Sequence, residues 1–254
     1  MFSYSAQRPT GNNLLDYLVK ADRDSLGVKL EGWQARTGQI IYEPGSNVDH
    51  AYFPIGSTMA SFRIAFDDGS EIETGLIGRE GALGGIVSHG HLPAFARSVA
   101  QVGGDFARIS LVELEKIKES NKRVRELFNR YADCMLAQIF QTTACNAAHS
   151  VEQRAAKWLL AAANRTGSSD LTLTQDQLAG LLGVGRTYVS RVIGKLRRQG
   201  VISNGRTRIR IDDMTGLQSS SCACNACVER HFDEVLRGVY PEGPAREDKT
   251  IETL

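Results

Sequence analysis

Two short helical patterns joined at a glycine constrain the fold of this chain more than any other feature. Thr174 and Gln177 have the spacing of a capping box, in which each side chain bonds the backbone amide of the other residue. Gly183 can take the left-handed conformation that ends a helix, and Ala179 is small where a second helix must cross the first. The spacing therefore predicts a helix-turn-helix. The second helix begins at Arg186 and has an apolar stripe of Val189, Val192, Ile193 and Leu196.

The outward side of the second helix is strongly basic. Between Arg186 and Arg210 the chain has no acidic residue, although its formal net charge is only +1. Arginines at the start of such a helix can pair with guanine edges, and later cations can neutralise phosphates. We therefore interpret it as a recognition helix for double-stranded DNA. The predicted DNA-binding residues are Thr174, Gln175, Arg186, Thr187, Tyr188, Ser190, Arg191, Lys195, Arg206 and Arg208.

A β-hairpin is predicted directly after this helix. Asn204-Gly205 is a favoured two-residue hairpin turn. Its flanks place Arg206, Arg208 and Arg210 on one face of a wing beside the DNA groove. The whole segment from Leu171 to Ile211 is thus predicted to be a winged helix-turn-helix.

The first half of the chain has the pattern of short strands. From about Gly32 to Ile109, β-favouring runs are separated by turns, and apolar residues alternate around Ile64. Asp68-Gly69 predicts a tight hairpin turn. Closely spaced strands of this kind favour a sandwich or barrel.

A long helix is expected to connect the two halves. Residues from Asn121 to His149 include no proline or glycine and have an apolar stripe at three- and four-residue intervals. The stripe could pack on its own domain or form a seam between two subunits. We favour the homodimer, because DNA-binding helices of this kind work in pairs. The stripe consists of Val124, Leu127, Phe128, Tyr131, Met135, Ile139 and Phe140.

These residues resemble the Crp/Fnr family of bacterial transcription regulators. Residues 173–203 look like its DNA-binding signature, and residues 38–45 are similar to the first strands of its effector-binding β-roll. The resemblance implies an α+β fold: a jelly-roll-like β-roll sensor at 1–119, a dimerisation helix at 120–150 and a winged helix-turn-helix at 151–217. Residues 218–254 form an appendage. The resemblance also implies a homodimer that binds a two-fold symmetric DNA site. RNA polymerase is a further partner that it implies.

Two positions of the recognition helix depart from the family pattern Arg-Glu-x-x-x-Arg. Arg186 and Arg191 match its two arginines, but Thr187 replaces the glutamate. A carboxylate accepts a hydrogen bond from cytosine, whereas threonine discriminates less. Gly185 stands where serine is frequent, which removes one phosphate contact. We therefore expect the half-site to differ from the family's usual one.

The effector site is also altered. In cyclic-nucleotide members an arginine and a serine bind the phosphate and a glutamate binds the ribose. Arg97 and Ser98 match the phosphate end, but Glu80 is displaced within a glycine-rich segment. The resemblance thus implies a small-molecule effector of unknown identity, and not a standard cyclic AMP site. No cofactor can be named.

The cysteines leave an alternative function open. Their odd number does not fit a secreted disulfide framework. Cys222, Cys224 and Cys227, with His231, resemble a metal or redox cluster. The alternative is therefore a metal- or redox-responsive sensor, although reduced thiols without metal are expected. Cys134 and Cys145 are predicted to be core or interface residues, and His89 and His91 to lie in a solvated loop.

Other function classes have little support in the sequence. Residues 1–9 do not resemble a signal peptide, and no apolar run approaches the ~18 residues that span a bilayer. No catalytic triad or carboxylate pair stands out, so an enzyme is not expected. The predicted location is the cytoplasm, without membrane contact. A ligand-binding module with a vestigial helix-turn-helix remains the second alternative.

Overall fold

The computed structural model describes residues 10–21, 26, 29–88 and 90–236. Its N-terminal part consists of two antiparallel sheets, in the orders β1-β7-β3 and β2-β6-β4-β5. The strands are β1 Glu31–Ala35, β2 Ile40–Tyr42, β3 His50–Pro54, β4 Met59–Ala65, β5 Glu71–Ile77, β6 Arg97–Val102 and β7 Gly104–Ser110. Ala60, Ile77 and Phe106 are among the buried side chains that pack between them. The predicted α+β fold class is confirmed.

The hairpin between β4 and β5 is wider than the sequence predicts. Ala65 pairs with Glu71, so the loop comprises residues 66–70 and not a two-residue turn. Gly69 has a φ of 80°, and its amide donates to the carbonyl of Phe66. A register shift between Phe62 and Arg63 breaks the strict alternation that the sequence suggests.

One helix precedes these strands in the chain and two helices follow them, and all three contribute side chains to the same core. They are α1 Asn13–Ala21, α2 Leu111–Ser120 and the long helix α3 Lys122–Ala148. Asn121 caps α3 by accepting from the amides of Arg123 and Val124. Sequence patterns predict α3 almost to its ends, but they missed α1 and α2.

The two halves of α3 have different surroundings. Val124, Leu127, Phe128 and Tyr131 are buried in the chain's own core. Leu136, Ile139 and Phe140 are 48%, 43% and 64% exposed. Packing on its own domain therefore accounts for the first half of the stripe, and the second half is left as an apolar surface.

Two residues, His149 and Ser150, separate the end of α3 from the C-terminal part. Ser150 and Gln153 form a capping box at the start of α4 Val151–Thr166, and Gly167 ends this helix with a φ of 66°. A three-stranded sheet follows in the order β8-β10-β9, with β8 Asp170–Leu171, β9 Ile202–Asn204 and β10 Ile209–Ile211. The remaining helices are α5 Gln175–Leu182, α6 Arg186–Arg198, α7 Met214–Ser220 and α8 Cys224–Leu236.

The last helix folds back onto α3. The ring of Phe232 meets that of Tyr131 edge to face at 6.3 Å between centroids, and Arg130 donates to the carbonyl of Val235. The appendage expected at 218–254 is thus packed against the long helix as far as it is described.

Within the described residues, no helix is long and apolar enough to cross a membrane. Three expectations lie outside the described residues: those for residues 1–9, for His89 and for the part of the appendage from 237 to 254.

Candidate nucleic-acid interface

Helices α5 and α6 form the predicted two-helix unit. Thr174 Oγ1 accepts from the Gln177 amide at 3.1 Å, and Gln177 Oε1 accepts from the Thr174 amide at 2.8 Å. Gly183 ends α5 in the left-handed region, with φ 65° and ψ 39°. The capping box and the glycine turn are both confirmed.

The turn between the helices is fixed from two sides. Arg154 of α4 donates to the carbonyl of Leu182 at 2.7 Å. A Cβ atom placed on Gly183 would lie 2.9 Å from Cδ1 of Ile72 in β5. Positive φ and close approach together require glycine at this position.

Helix α6 separates its apolar and basic sides cleanly. Val189, Val192, Ile193 and Leu196 are buried, as the sequence predicts. Its basic side chains and the residues near its N-terminus are exposed, and Tyr188 is 49% exposed. The helix therefore presents side chains of the types that read base edges and bind phosphates.

Several exposed cations meet carboxylates that lie on other elements. Arg186 Nε is 3.2 Å from Asp176 Oδ1, and Lys195 Nζ is 2.6 Å from Glu152 Oε1. The local sequence does not reveal these partners, because both acids precede residues 186–210 and approach the cations only in the folded chain. Such exposed pairs contribute little free energy, so a DNA phosphate can replace the carboxylate.

Other predicted contact residues are placed beside the same helix. Ser190 donates from its Oγ to Gln175 Oε1 at 2.6 Å, which joins α6 to the first turn of α5. Thr187 is exposed near the start of α6. Among the described residues, Arg191 has no carboxylate within ion-pair distance.

The wing differs from its prediction in one respect. Asn204 pairs with Ile209, so the loop is Gly205–Arg208 and Asn204-Gly205 is not a two-residue turn. The Gly205 amide donates to the Arg208 carbonyl at 2.8 Å. Arg206 and Arg208 therefore lie in the loop, and only Arg210 is in a strand. Arg208 is 3.1 Å from Asp170, and both are exposed.

The three candidate effector residues are not brought together as one open site. Arg97 pairs with Glu43 at 2.7 Å and also with Glu71. Glu80 accepts from Arg165 of α4 at 2.7 Å, and Ser98 is buried. The phosphate-binding role of Arg97 stays a prediction, and a ligand anion there would compete with two carboxylates.

The cysteines group differently from their prediction. Cys222 and Cys224 lie next to Cys145 and His149, at the end of α3. Cys227 and His231 are exposed outside this group, because the buried side of α8 includes Cys224 and Leu236 instead. The alternative of a metal or redox sensor grouped Cys227 with Cys222 and Cys224, but the structure places Cys227 outside the group and brings Cys145 and His149 into it. The sequence does show Cys145 and His149 four residues apart, which places both on one side of a helix.

These features define a class. The structure combines a capped two-helix unit, an exposed basic helix and a three-stranded sheet that carries the wing loop. This combination is typical of a winged helix-turn-helix DNA-binding domain.

Comparisons with known proteins specify the class further. Residues 153–220 match the Crp-like helix-turn-helix domain. Over 215 residues the chain is 25% identical to the transcriptional regulatory protein btr of Bordetella pertussis, covering 80% of this chain and 82% of btr.

Two solved structures share the fold. FixK2 from Bradyrhizobium japonicum has a TM-score of 0.65 at 16% identity, covering 76% of this chain and 98% of that chain. A putative regulator of the crp/fnr family from Eubacterium rectale has a TM-score of 0.64 at 17% identity, covering 83% and 98%. The chain therefore contains a Crp-like helix-turn-helix domain, and it shares its overall fold with a putative regulator of the crp/fnr family.

Proposed function

We propose that the protein is a homodimer that binds a two-fold symmetric DNA site through two copies of α6. The observation that carries this proposal is the exposed basic side of α6 beside an arginine-bearing wing loop. Arg186 and Arg191 are the proposed base-reading residues, and Lys195, Arg206 and Arg208 the proposed phosphate contacts. Thr174, Gln175, Thr187, Tyr188 and Ser190 complete the interface.

The dimer is supported by the second half of α3. Leu136 precedes the other two exposed apolar side chains, Ile139 and Phe140, by three and four residues, as in a two-helix seam. A second copy of the same helix would cover them and would place the two recognition helices about 34 Å apart, one turn of DNA.

We propose the following division of labour along the chain. Residues 1–119 form the sensor, 120–150 the dimerisation helix and 151–217 the DNA-binding domain, with 218–254 as an appendage. An effector would act in the cytoplasm by binding one of two arrangements of these parts more tightly than the other. RNA polymerase is the remaining partner that we propose, on the basis of the family resemblance.

A salt series with one double variant and one single control variant tests the DNA proposal. The probe is a DNA fragment selected by the protein from a random pool. Arg186→Ala with Arg191→Ala should weaken binding to it by at least tenfold, because each bidentate contact contributes about 1–3 kcal/mol. Arg125→Ala, an exposed arginine of α3, is the matched control and should bind like the wild type.

The salt dependence separates the proposal from a vestigial domain. A DNA-binding protein should show affinity that falls steeply as salt rises, with a smaller slope in the double variant. Affinity that is independent of salt, or equal selectivity in the double variant and the wild type, would favour a ligand-binding module instead.

The dimer has a test of its own. Phe140→Glu should yield monomers in sedimentation equilibrium, since it places a charge in the proposed seam. Val112 on α2 is 67% exposed, and Val112→Glu is the matched control that should remain dimeric. A monomeric wild type would contradict this part of the proposal.

A further inference from the structure

Four metal-binding side chains converge where the long helix ends. Cys145 lies in the last turn of α3, and His149 is its C-terminal cap. Cys222 lies in the connection between α7 and α8, and Cys224 is the first residue of α8. The donor atoms of all four lie within 4.8 Å of one another. Two pieces of chain about 75 residues apart thus contribute two donors each.

Two of the donor separations match those of a single tetrahedral ion, and the others do not exceed 4.8 Å. Cys145 Sγ and Cys222 Sγ are 3.6 Å apart, as are Cys224 Sγ and His149 Nδ1. With metal–sulfur distances of about 2.3 Å and metal–nitrogen distances of about 2.0 Å, a tetrahedral site separates its donors by roughly 3.5–3.8 Å. A polynuclear iron–sulfur cluster would have to hold several ions between these donors, for which this spacing is too small.

The surroundings favour a structural site. Cys145, Cys222 and Cys224 are buried, so the three sulfur donors are shielded from water, and His149 is half-buried. Gln141 donates from Nε2 to Cys224 Sγ at 3.1 Å, which orients that sulfur as outer partners of metal ligands do. A set of three thiolates and one imidazole, with no fifth donor among these groups, suits Zn²⁺.

We propose that Cys145, His149, Cys222 and Cys224 bind one Zn²⁺ and that this ion fastens α8 to the junction of α3 and α4. On binding, each cysteine thiol releases its proton to solvent and its sulfur donates to the metal, with no change in oxidation state. The site adjoins Ser150, the cap of α4, and Asn225 donates to the Lys157 carbonyl of α4 at 2.9 Å. Zinc would therefore fix the direction in which the DNA-binding domain leaves the long helix.

The test measures metal in the full chain, purified without a metal-affinity tag. Elemental analysis should find one zinc per chain. After removal of zinc, Co²⁺ should bind with the visible spectrum of a tetrahedral thiolate site. Cys145→Ser and Cys222→Ser should each weaken Zn²⁺ binding more than about 100-fold, since even outer partners contribute about 10- to 100-fold. Gln141→Ala should weaken it about tenfold.

Cys227→Ser is the matched control, because Cys227 is an exposed cysteine three residues after Cys224. It should keep full zinc content. Cys224→His keeps a donor, so it should still bind Co²⁺ with a weaker charge-transfer band, even if the serine variants fold poorly.

Four results would overturn the proposal: wild-type protein without zinc, bound iron with strong visible absorption, a Cys145–Cys222 disulfide in the mass spectrum, or zinc lost equally in Cys227→Ser. None of these readouts involves DNA, so they are independent of the proposed function.

Discussion

The polar side chains of α6 are exposed to solvent. In contrast, the polar side chains around Glu73 of β5 are enclosed by α3, α4 and α8. Arg186 of α6 and its partner Asp176 of α5 are 69% and 61% exposed. Beneath β5, Trp158 donates to Glu73 Oε1 at 2.9 Å, and Glu73 Oε2 is buried without a hydrogen-bond partner in the described part of the chain. Substitutions on α6 should change DNA binding and leave stability nearly unchanged, and substitutions in the interior should do the reverse.

The largest stability effect is expected at Tyr131, which is fully buried against Gly81. Its hydroxyl accepts from the Ala82 amide at 2.9 Å and donates to the Ala82 carbonyl at 2.8 Å. Tyr131→Ala should lower the free energy of unfolding by about 3–5 kcal/mol. Tyr131→Phe should lower it by about 1–3 kcal/mol, because only the hydrogen bonds are lost. Urea denaturation measures both, and a loss below about 1 kcal/mol in the alanine variant would contradict the packing described.

A pH-dependent effect is expected at Glu73, where burial raises the pKa to about 8 despite the hydrogen bond from Trp158. The carboxyl of Glu73 ionises near pH 4.5 in the unfolded chain, but it stays protonated up to about pH 8 in the folded protein. The unfolded state therefore binds fewer protons in this window, and stability falls as pH rises through it. Glu73→Gln removes this dependence and should be more stable than wild type by about 4 kcal/mol at pH 8, with no difference at pH 4.

The control for this prediction is Glu119→Gln, an exposed glutamate of α2. Its stability should follow the wild type at every pH. If Glu73→Gln also follows the wild type from pH 5 to pH 8, the carboxylate is not enclosed as described.

A change of specificity is expected at Thr187, on the exposed side. Thr187→Glu supplies the carboxylate that can accept from cytosine, so one base pair of each half-site should shift toward cytosine by about tenfold. Selection from random DNA with both proteins measures this shift. Stability should change by less than about 0.5 kcal/mol, as is usual at surface positions. An unchanged base preference would mean that this position does not face the bases.

The smallest effect is expected at Asp176. Asp176→Asn removes the carboxylate beside Arg186 and should strengthen DNA binding about two- to fivefold at low salt, with less gain at high salt. Glu229→Gln, at an exposed glutamate of α8, is a control that should leave DNA affinity unchanged. Weaker binding by Asp176→Asn would show that the carboxylate positions Arg186 for the bases.

How much the sequence predicts depends on the range of the interactions involved. The capping box at Thr174, the turn at Gly183 and the stripe of α6 are local, and all three are confirmed. The pairing of Arg186 with Asp176 and the five-residue loop before β5 depend on how elements meet, and they were missed. The cysteine group shows this most clearly, since Cys145 joins Cys222 from 77 residues away while the nearby Cys227 stays outside.

One measurement tests the central claim most directly: selection of bound fragments from a random DNA pool by the purified full-length protein. The account predicts one enriched motif with two-fold symmetry, its half-sites centred about one helical turn apart, and loss of that motif with Arg186→Ala and Arg191→Ala. Enrichment of no motif, or of the same motif by the double variant, would contradict the account.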